Sequence, residues 1–381
     1  MPPRIVWVTN DLPPRTGGIQ QFVVSLLERT ARADTVVLGP AGGPGAAAWD
    51  AGRPWRTERA PGDLLPTPAT GRWLADRLAG LRPDAVVIAS LWPLGLLAPR
   101  LRRAAAAPVL GLTHGAEAGL ARGPLRPVLR AVARDVDLVT TISDFTAGPV
   151  AAALGGHRVA RLPPGVDTAR FVPRPADDPG RLAMRRAWGV PEDAVVVGCV
   201  ARLVPRKGQD ALVAAWPRVA ARHPDARLVL VGEGPLRRRL ERAVARAGPA
   251  GDRVVLAGAL PWERLPDAYA ALDVFAMPVR TRLGGLDVEG LGISFLEALA
   301  TGLPVVVGRS GGAPETLVHP DAGDLVDGRD LDAVVDALDR WLGDASARRA
   351  VATLAPPLVR RWEWDSIAAD LDALLGGLVT A

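Results

Sequence analysis

Two glutamates eight residues apart form the most informative motif of the chain. Glu289 and Glu297 flank the glycine-containing turn Gly290-Leu291-Gly292, and a helix is predicted to begin near Gly292. The first N–H groups of such a helix are unpaired and carry partial positive charge, so they can face a phosphate. The carboxylate of Glu297 can accept hydrogen bonds from ribose hydroxyls, and that of Glu289 can hold sugar hydroxyls near a reacting carbon. A helix N-terminus decorated with acids is the alternative interpretation.

A second motif places three cations after a predicted strand. Arg202, Arg206 and Lys207 follow the strand that ends near Val200, and Gly208 opens the next helix. Guanidinium groups can grip two phosphate oxygens in a fork and an ammonium supplies a point charge, so this loop predicts a diphosphate clamp. Lys207 is the only lysine beside 45 arginines, which favours a specific need for its compact charge. A solvated basic turn is the alternative.

Two loops in the first half of the chain carry weaker signals. Gly17 and Gly18 lie between a predicted strand and a helix, where the backbone can approach a phosphate, although a plain tight turn explains them equally well. They do not form the G-x-G-x-x-G dinucleotide fingerprint. His114 follows another predicted strand, and its position at the carboxyl end of that strand favours a substrate contact over a structural role.

Short apolar runs alternate with helical stretches along both halves, which predicts an α/β fold with doubly wound parallel sheets. The predicted strands are 5–9, 35–38, 85–89, 109–113, 138–142 and 159–162, then 195–200, 227–231, 254–257, 274–277 and 304–307. The predicted helices include 19–29, 68–81, 208–222, 236–247, 293–300, 331–342 and 366–378. Open sheets of this kind bind ligands at the carboxyl ends of their strands.

The length of 381 residues suits two domains. We predict an N-terminal Rossmann-like acceptor domain over residues 1–165, a proline-rich linker over 166–190 and a C-terminal Rossmann-like donor domain over 191–358. The remaining residues, 359–381, are predicted to form a helix that packs back on the N-terminal domain.

Basic charge is concentrated in the first half. Residues 1–165 carry 19 arginines against 12 acidic residues. Arg122, Arg126, Arg130 and Arg134 recur every four residues, which would place them on one face of a helix. Such a face predicts docking on an anionic membrane, with an ordinary solvated helix as the alternative. Few aromatic residues accompany these arginines, which disfavours nucleic-acid binding.

Composition narrows the cellular setting. The single cysteine, Cys199, excludes an intramolecular disulfide and fits a reducing compartment. The N-terminus lacks the pattern of a signal peptide, and no apolar run reaches the roughly 18–20 residues of a membrane span. The scattered histidines predict no metal site. We therefore expect a cytoplasmic protein, peripheral on the inner face of the cell membrane.

These motifs resemble those of the GT-B retaining glycosyltransferases that carry the E-x(7)-E motif, and the likeness runs nearly end to end. The stretches that carry it are 9–20, 202–210, 277–298 and 310–316. The subgroup they most resemble is the actinobacterial GDP-mannose-dependent α-(1→6) phosphatidylinositol-monomannoside mannosyltransferases. The resemblance implies two Rossmann-like domains facing across a cleft, and front-side transfer of mannose from GDP-mannose to a glycolipid. It implies no bound cofactor.

The resemblance also implies individual residue roles. The implied catalytic residues are His114, which would contact the transferred sugar, Arg202, Lys207 and Glu289. The implied donor-binding residues are Gly18, Arg202, Lys207, Leu260 at guanine, Glu289, Gly290, Leu291, Gly292, Ile293 and Glu297 at ribose. The implied acceptor-binding residues are Asn10, Asp11 and Gln20. One departure is Leu283, which stands where the subgroup is expected to have glycine.

Other functions stay open at this point. The preference for GDP rests on the resemblance alone, and another nucleotide sugar or a non-lipid acceptor fits the same residues. A nucleotide-sugar epimerase or hydrolase would share the fold, as would a non-enzymatic sensor. A dinucleotide-dependent oxidoreductase is disfavoured because its glycine fingerprint is missing.

Overall fold

The computed structural model describes residues 3–15, 17–30 and 34–380, which contain two parallel sheets with flanking helices. The first sheet consists of β1 (Ile5–Val8), β2 (Val36–Gly39), β3 (Arg56–Arg59), β4 (Ala85–Ile88), β5 (Val109–Gly111), β6 (Leu138–Thr141) and β7 (Arg158–Arg161). The second consists of β8 (Val195–Val200), β9 (Ala226–Val231), β10 (Val254–Gly258), β11 (Val274–Met277), β12 (Val305–Gly308) and β13 (Gly323–Val326). Every predicted strand overlaps one of these.

The strand orders are those of doubly wound sheets. They are β3-β2-β1-β4-β5-β6-β7 in the first sheet and β10-β9-β8-β11-β12-β13 in the second. In each sheet the chain order reverses next to the first strand, β1 or β8. The central strands are short runs of valine, isoleucine and leucine because helices cover both faces of the sheet. The predicted α/β class is therefore confirmed.

Sixteen helices lie within the described residues. They are α1 (Gly18–Thr30), α2 (Ala46–Ala51), α3 (Pro68–Leu81), α4 (Leu91–Leu94), α5 (Ala98–Ala105), α6 (Ala116–Leu120), α7 (Arg126–Ala133), α8 (Asp144–Leu154), α9 (Pro179–Ala187), α10 (Gln209–Arg222), α11 (Arg237–Arg246), α12 (Leu265–Ala270), α13 (Ile293–Ala300), α14 (Leu331–Gly343), α15 (Ala345–Val359) and α16 (Trp364–Val379). None of them is long and apolar enough to cross a membrane.

The chain divides into two compact units, Met1–Gly165 with Trp364–Ala381 and Val166–Glu363. The last helix, α16, thus belongs to the first unit, where it packs against α1. The Trp364 ring meets the Phe22 ring edge-on with 5.7 Å between centroids. Buried leucines of α16 join the apolar core on that side of the first sheet.

Residues 166–190, expected to be a linker, belong to the second unit and include helix α9. Two arginines of α9 bind the same carboxylate, because Arg181 Nη2 lies 2.8 Å and Arg185 Nη2 lies 2.7 Å from the oxygens of Asp273. The second of these oxygens also accepts a hydrogen bond from the Val196 N–H at the start of the second sheet. The proline-rich composition suggested a linker, but the segment contains helix α9, which ion pairs hold against the second sheet.

The predicted basic stripe is only partly a free cationic surface. Its members are Arg122, Arg126, Arg130 and Arg134. Helix α7 covers only the middle two, and both donate to carbonyls at the end of α8: Arg126 to Ala152 at 2.8 Å and Arg130 to Ala153 at 2.7 Å. The last carbonyls of a helix lack partners and carry partial negative charge, so they attract guanidinium groups. Half of the stripe therefore secures α8 to α7.

Replacing Asp273 with alanine should destabilise the second unit. The Arg185 side chain is 1% exposed, and removing its carboxylate partner leaves a buried charge uncompensated, which costs about 3–5 kcal/mol. Urea unfolding followed by circular dichroism measures this loss. The matched control is Glu192→Ala, which removes an exposed partner of Arg186 and should cost less than about 1 kcal/mol. Equal losses in the two variants would contradict the assignment.

Candidate active site

The cationic loop starts at the carboxyl end of β8 in the second unit. It continues as a single 3-10 turn, Pro205–Lys207, before α10 begins at Gln209. Gly208 has φ +78°, and a Cβ at this position would overlap the carbonyl oxygen of Pro278, which follows β11. Only glycine permits both the backbone conformation and the close approach. The loop after β8 is thereby held against the loop after β11.

Arg280 ties the same two loops together. Its N–H donates to the Arg206 carbonyl at 2.9 Å. Its guanidinium contacts both carboxylate oxygens of Asp210, at 2.7 and 2.6 Å. The Asp210 side chain lies in the first turn of α10, directly after the cationic loop. These contacts fix the backbone of Arg206 and Lys207.

Lys207 and Glu289 form an ion pair at the centre of the site. Lys207 Nζ lies 2.8 Å from Glu289 Oε2, and the two side chains are only 12% and 8% exposed. Arg206 Nε lies 3.5 Å from the same oxygen, and Arg206 Nη1 lies 3.5 Å from Asp287. Glu289 Oε2 and Arg206 Nε nevertheless have no partner with hydrogen-bond geometry among the described residues. Both atoms are buried, and their nearest charged neighbours are each other and, for the carboxylate oxygen, the Lys207 ammonium.

A glycine-rich segment after β12 fixes the backbone of Glu289. The Gly312 N–H donates to the Glu289 carbonyl at 3.0 Å. Gly311 has φ +60°, and a Cβ there would overlap that same carbonyl oxygen. The Ser310 hydroxyl lies 3.5 Å from the Glu289 N–H and 3.0 Å from the Thr281 hydroxyl. Sequence reasoning included residues 310–316 only as part of the resemblance, and gave them no role.

Helix α13 begins where it was predicted, with Gly292 as N-cap at φ +98°. No side chain caps its first N–H groups. The residue before the cap, Leu291, is buried and anchors the turn, while Gly290 and Ile293 are partly exposed. The helix therefore presents unpaired N–H groups and partial positive charge close in sequence to Glu289. An anionic group is the natural partner for such an end.

Glu297 lies in the second turn of α13 and is buried. Its Oε2 accepts a hydrogen bond of 2.6 Å from the Tyr269 hydroxyl, a contact that sequence reasoning missed. Burial raises the pKa of Glu297 to about 7, against the opposing effects of Tyr269, Arg170 and Lys207. The two glutamates of the motif thus differ in partner: one faces cations and the other a neutral hydroxyl.

The remaining predicted donor residues of the second unit occupy neighbouring loops. The Arg202 side chain is exposed and has no partner in the part of the chain that the structure describes, while its carbonyl accepts a 3.1 Å hydrogen bond from Gln209. Leu260 is partly exposed in the loop after β10. Because all strands of this sheet are parallel, these loops share the edge that carries Lys207 and Glu289. The structure shows no direct contact that joins Arg202 or Leu260 to this pair.

In the first unit, His114 is held by backbone contacts. Its Nε2 lies 2.6 Å from the Ala89 carbonyl, so this nitrogen carries a proton and Nδ1 is left for another partner. The His114 N–H donates to the buried carboxylate of Glu117 at 3.2 Å, and the same carboxylate accepts from the Trp92 N–H. Glu117 was not recognised from the sequence, because it is a lone acid in a short helix.

The predicted acceptor residues differ in what already binds them. The Asn10 amide both donates to and accepts from the Leu64 backbone, at 3.0 and 2.8 Å, so it fixes the loop that contains Leu64. Asp11 accepts a 2.8 Å hydrogen bond from the Ser90 hydroxyl on one of its oxygens. Gln20 is partly exposed in the first turn of α1. Thr16, in the same motif, lies outside the described residues.

Open space surrounds the glycine turn before α1. A Cβ at Gly17 or Gly18 would meet no atom within 4 Å, so packing does not require glycine at these two positions. This leaves room for a group to approach the backbone and the start of α1. The observation agrees with the predicted phosphate contact at Gly18 without testing it.

The departure at Leu283 has a structural consequence. Leu283 has φ +50°, a left-handed conformation that is strained for a branched side chain, and the following Gly284 and Gly285 are left-handed as well. The Leu283 side chain is 69% exposed. The loop closes through the Arg282 N–H, which donates to the Asp287 carbonyl at 2.9 Å. A strained, exposed loop therefore leads directly into Glu289.

Within the second unit, the site combines a buried ion pair, a free helix N-terminus and a second buried carboxylate at one sheet edge. Cations and N–H groups suit an anionic group, and carboxylates suit hydroxyl groups. No three His, Cys, Asp or Glu side chains are grouped to hold a metal ion anywhere in the described ranges. The arrangement suits a ligand with phosphate and several hydroxyls.

Two families match the chain. Glycosyl transferases group 1 matches residues 181–355, and Glycosyltransferase Family 4 matches residues 16–170. The two matches fall on the second and the first unit. The Glu289–Glu297 motif and the cationic loop lie within the first of them.

Several curated proteins are similar over nearly their whole length. The GDP-mannose-dependent alpha-(1-6)-phosphatidylinositol monomannoside mannosyltransferase of Mycobacterium tuberculosis is 43% identical over 98% of each chain. The enzyme of the same name from Mycolicibacterium smegmatis is 41% identical over 97% of each chain. A GDP-mannose-dependent monoacylated alpha-(1-6)-phosphatidylinositol monomannoside mannosyltransferase of Corynebacterium glutamicum is 39% identical over 97% of this chain and 96% of its own.

Solved structures share the fold. Anabaena HepE in complex with UDP superposes with a TM-score of 0.81 at 20% identity, over 98% of this chain and 100% of its own. Sucrose-phosphate synthase from Thermosynechococcus elongatus has a TM-score of 0.78 at 22% identity, over 99% of both chains. These likenesses confirm the predicted GT-B fold. Together with the family matches and the curated relatives, they show that the chain belongs to the GT-B glycosyltransferases and is an enzyme that transfers a sugar.

Proposed function

We propose that the protein transfers mannose from GDP-mannose to a phosphatidylinositol mannoside, forming an α-1,6 linkage with retention of configuration. The observation that carries this proposal is the identity of 39–43% to enzymes of that name over nearly the whole chain. The buried Lys207–Glu289 pair and the free start of α13 supply the chemistry that such a donor needs.

The donor binds mainly to the second unit. Lys207 and Arg202 hold the diphosphate together with the N-terminus of α13 at Gly290–Ile293. Glu289 turns its Oε2 to Lys207 and accepts from mannose hydroxyls on its other carboxylate oxygen. Glu297 binds the ribose and the backbone at Leu260 the guanine.

Residues of the first unit complete the assignment. Gly18 contributes its backbone to the diphosphate. His114 donates from Nε2 to the Ala89 carbonyl, so its Nδ1 is the atom that accepts from the transferred sugar. Asp11 and Gln20 bind the acceptor, and Asn10 contributes through the second hydrogen and the second lone pair of its amide.

The reaction follows a front-side displacement. Negative charge develops on the departing phosphate, where Lys207, Arg202 and the start of α13 stabilise it electrostatically. The acceptor hydroxyl attacks the anomeric carbon from the same face, and its proton passes to the departing phosphate. The bond to mannose forms where the bond to phosphate breaks, so the anomeric configuration is retained.

The first unit docks on the anionic inner face of the cell membrane through a mixed apolar and basic surface. Three large apolar side chains are exposed there, Trp92 at 38%, Leu96 at 43% and Leu125 at 37%. They lie on α4, the 3-10 turn Gly95–Leu97 and the turn before α7, each of which packs against α7. Tryptophan and leucine beside arginine suit a membrane interface. This surface replaces the arginine stripe as the proposed contact.

The proposed activity is tested by incubating the purified protein with labelled GDP-mannose and acyl phosphatidylinositol monomannoside, and measuring labelled lipid. A dimannoside product is expected. Slow release of free mannose without a lipid product would contradict the acceptor and retain the donor. No consumption of GDP-mannose would contradict the donor and direct the assay to UDP-sugars.

Replacing Lys207 with alanine should lower turnover in this assay by at least about tenfold, because a desolvated charge contact to the diphosphate is lost. Arg238→Ala is the matched control, since it removes an exposed cation on α11 of the same unit and should leave turnover unchanged. Normal turnover in Lys207→Ala would refute the diphosphate clamp.

Replacing Trp92 and Leu125 together with serine should weaken binding to anionic vesicles by roughly tenfold, since binding strength follows the apolar area buried. Sedimentation with vesicles containing phosphatidylinositol measures it, and the binding should fall as salt rises. Leu358→Ser is the control, because this residue is 37% exposed on the second unit. Absence of vesicle binding by the unmodified protein at low salt would contradict membrane docking.

A further inference from the structure

Tyr269 is the only tyrosine of the chain and lies near the end of α12 in the second unit. Its side chain is fully buried, and its hydroxyl donates to Glu297 Oε2 at 2.6 Å. Two aromatic rings hold it in place: Phe171 lies edge-on at 5.5 Å and Phe275 is tilted at 5.7 Å between centroids. The phenol therefore has one orientation, and that orientation points at the second glutamate of the motif.

The positive charges near Glu297 do not fully offset the cost of burying its ionised carboxylate. Arg170, before α9, and Lys207, on the loop after β8, both favour the ionised carboxylate. The Arg170 guanidinium also lies over the Trp262 ring at 4.8 Å, and Lys207 is paired with Glu289. Burial outweighs their attraction and leaves the pKa of Glu297 at about 7.

The Tyr269 hydroxyl and the Cys199 thiol both stay neutral around neutral pH. Burial and the adjacent carboxylate raise the pKa of Tyr269 well above its usual value, so its hydroxyl stays a donor. Burial raises the pKa of Cys199 on β8 to about 12, so this thiol stays neutral. The side chains that β12, α15 and the turn Ala313–Thr316 bury are uncharged. Of Tyr269, Cys199 and Glu297, Glu297 is the group that titrates near neutral pH.

We propose that Tyr269 is the positioning residue for the nucleoside-binding carboxylate of Glu297, and that donor binding expels the proton that Glu297 holds in the free protein. This inference rests on the proposed role of Glu297 at the ribose. Tyr269 occupies Oε2, which directs the remaining acceptor capacity of the carboxylate to the ligand. The expelled proton passes to solvent.

The direction of the pH effect follows from the hydrogen bonds. Ribose hydroxyls donate to an ionised carboxylate, whereas a protonated carboxyl has an O–H donor on one oxygen and accepts fewer hydrogen bonds from the ribose. The ligand therefore favours the ionised form and lowers the pKa of Glu297 from its value of about 7 in the free protein. Donor affinity is then constant above that pH and falls as the pH decreases below it, by up to about tenfold per pH unit.

The experiment is calorimetric titration of GDP-mannose into the full-length protein without acceptor, between pH 5.5 and 8.5. GDP-mannose is the probe because each of its phosphates has one ester bond and the shared anhydride bond, which leaves only a strongly acidic group that does not titrate in this range, unlike the terminal phosphate of GDP. Repeating the titration in two buffers of different ionisation enthalpy counts the protons released. We expect release of about half a proton at pH 7, falling towards zero at high pH.

Tyr269→Phe removes the hydroxyl and keeps the ring. The lost hydrogen bond favoured the ionised carboxylate, so the pH below which affinity falls should move upward by about one unit. Affinity should be reduced several-fold at pH 7 and approach that of the unmodified protein at the highest pH. A purely structural role for Tyr269 would instead weaken binding equally at every pH, and that result would overturn the inference.

Glu297→Gln is the matched control, because glutamine keeps the shape of the side chain and cannot titrate. Its weaker binding should be independent of pH. A pH dependence that persists in this variant would assign the proton to another group, such as His114, and overturn the inference. Binding by the unmodified protein that is independent of pH would also overturn it, while leaving the proposed donor intact. No binding of GDP-mannose at any pH would overturn the donor assignment and the inference together.

Discussion

The ion pair between Lys207 and Glu289 is the interaction on which the site depends. Burying two charges costs free energy, and their attraction offsets this cost only when the geometry is good. Here the two side chains are 12% and 8% exposed, and the carboxylate oxygen at 2.8 Å lacks a hydrogen bond within the described chain. A phosphate can bind Lys207 and a sugar hydroxyl can bind Glu289, so that a ligand replaces the contact between the two residues. The ion pair thus holds in place two charges that a ligand would otherwise have to bring together.

Backbone packing around Pro278 makes that ion pair possible. The chain leaving β11 is approached by three glycines: a Cβ at Gly208 or Gly328 would overlap the Pro278 carbonyl, and one at Gly308 would overlap Val279. Gly208 and Gly328 lie after β8 and β13, and Gly308 is the last residue of β12, so three segments converge on the end of β11. A larger residue at Gly208 would push the loop that carries Lys207 away from the chain after β11. Because these positions are glycines, the segments can pack this closely around Pro278.

The sequence allowed the fold and the centre of the site to be predicted, and the misses have physical causes. The apolar central strands were recognisable, whereas two of the four edge strands were missed: β3 (Arg56–Arg59) has no apolar residue, and β13 (Gly323–Val326) has only two. Tyr269 was missed because its partner Glu297 lies 28 residues away, and only the packing of α12 on the sheet brings them together. Spacing within a motif is visible in a sequence, whereas the partners supplied by other elements are not.

The two glutamates of the motif lie in one short segment but in two different environments. Glu289 precedes α13 and contacts the cations of the loop after β8. Glu297 lies in the second turn of α13, where Tyr269 and apolar side chains enclose it. The charge of Glu289 is balanced by the adjacent cations. Glu297 has only a neutral donor, Tyr269, beside it, and its cations are more distant. The cationic environment of Glu289 suits a transferred sugar that is next to a charged diphosphate. A ribose, whose hydroxyls only need to be recognised, can be bound by Glu297, and its binding then becomes sensitive to the protonation of that carboxylate.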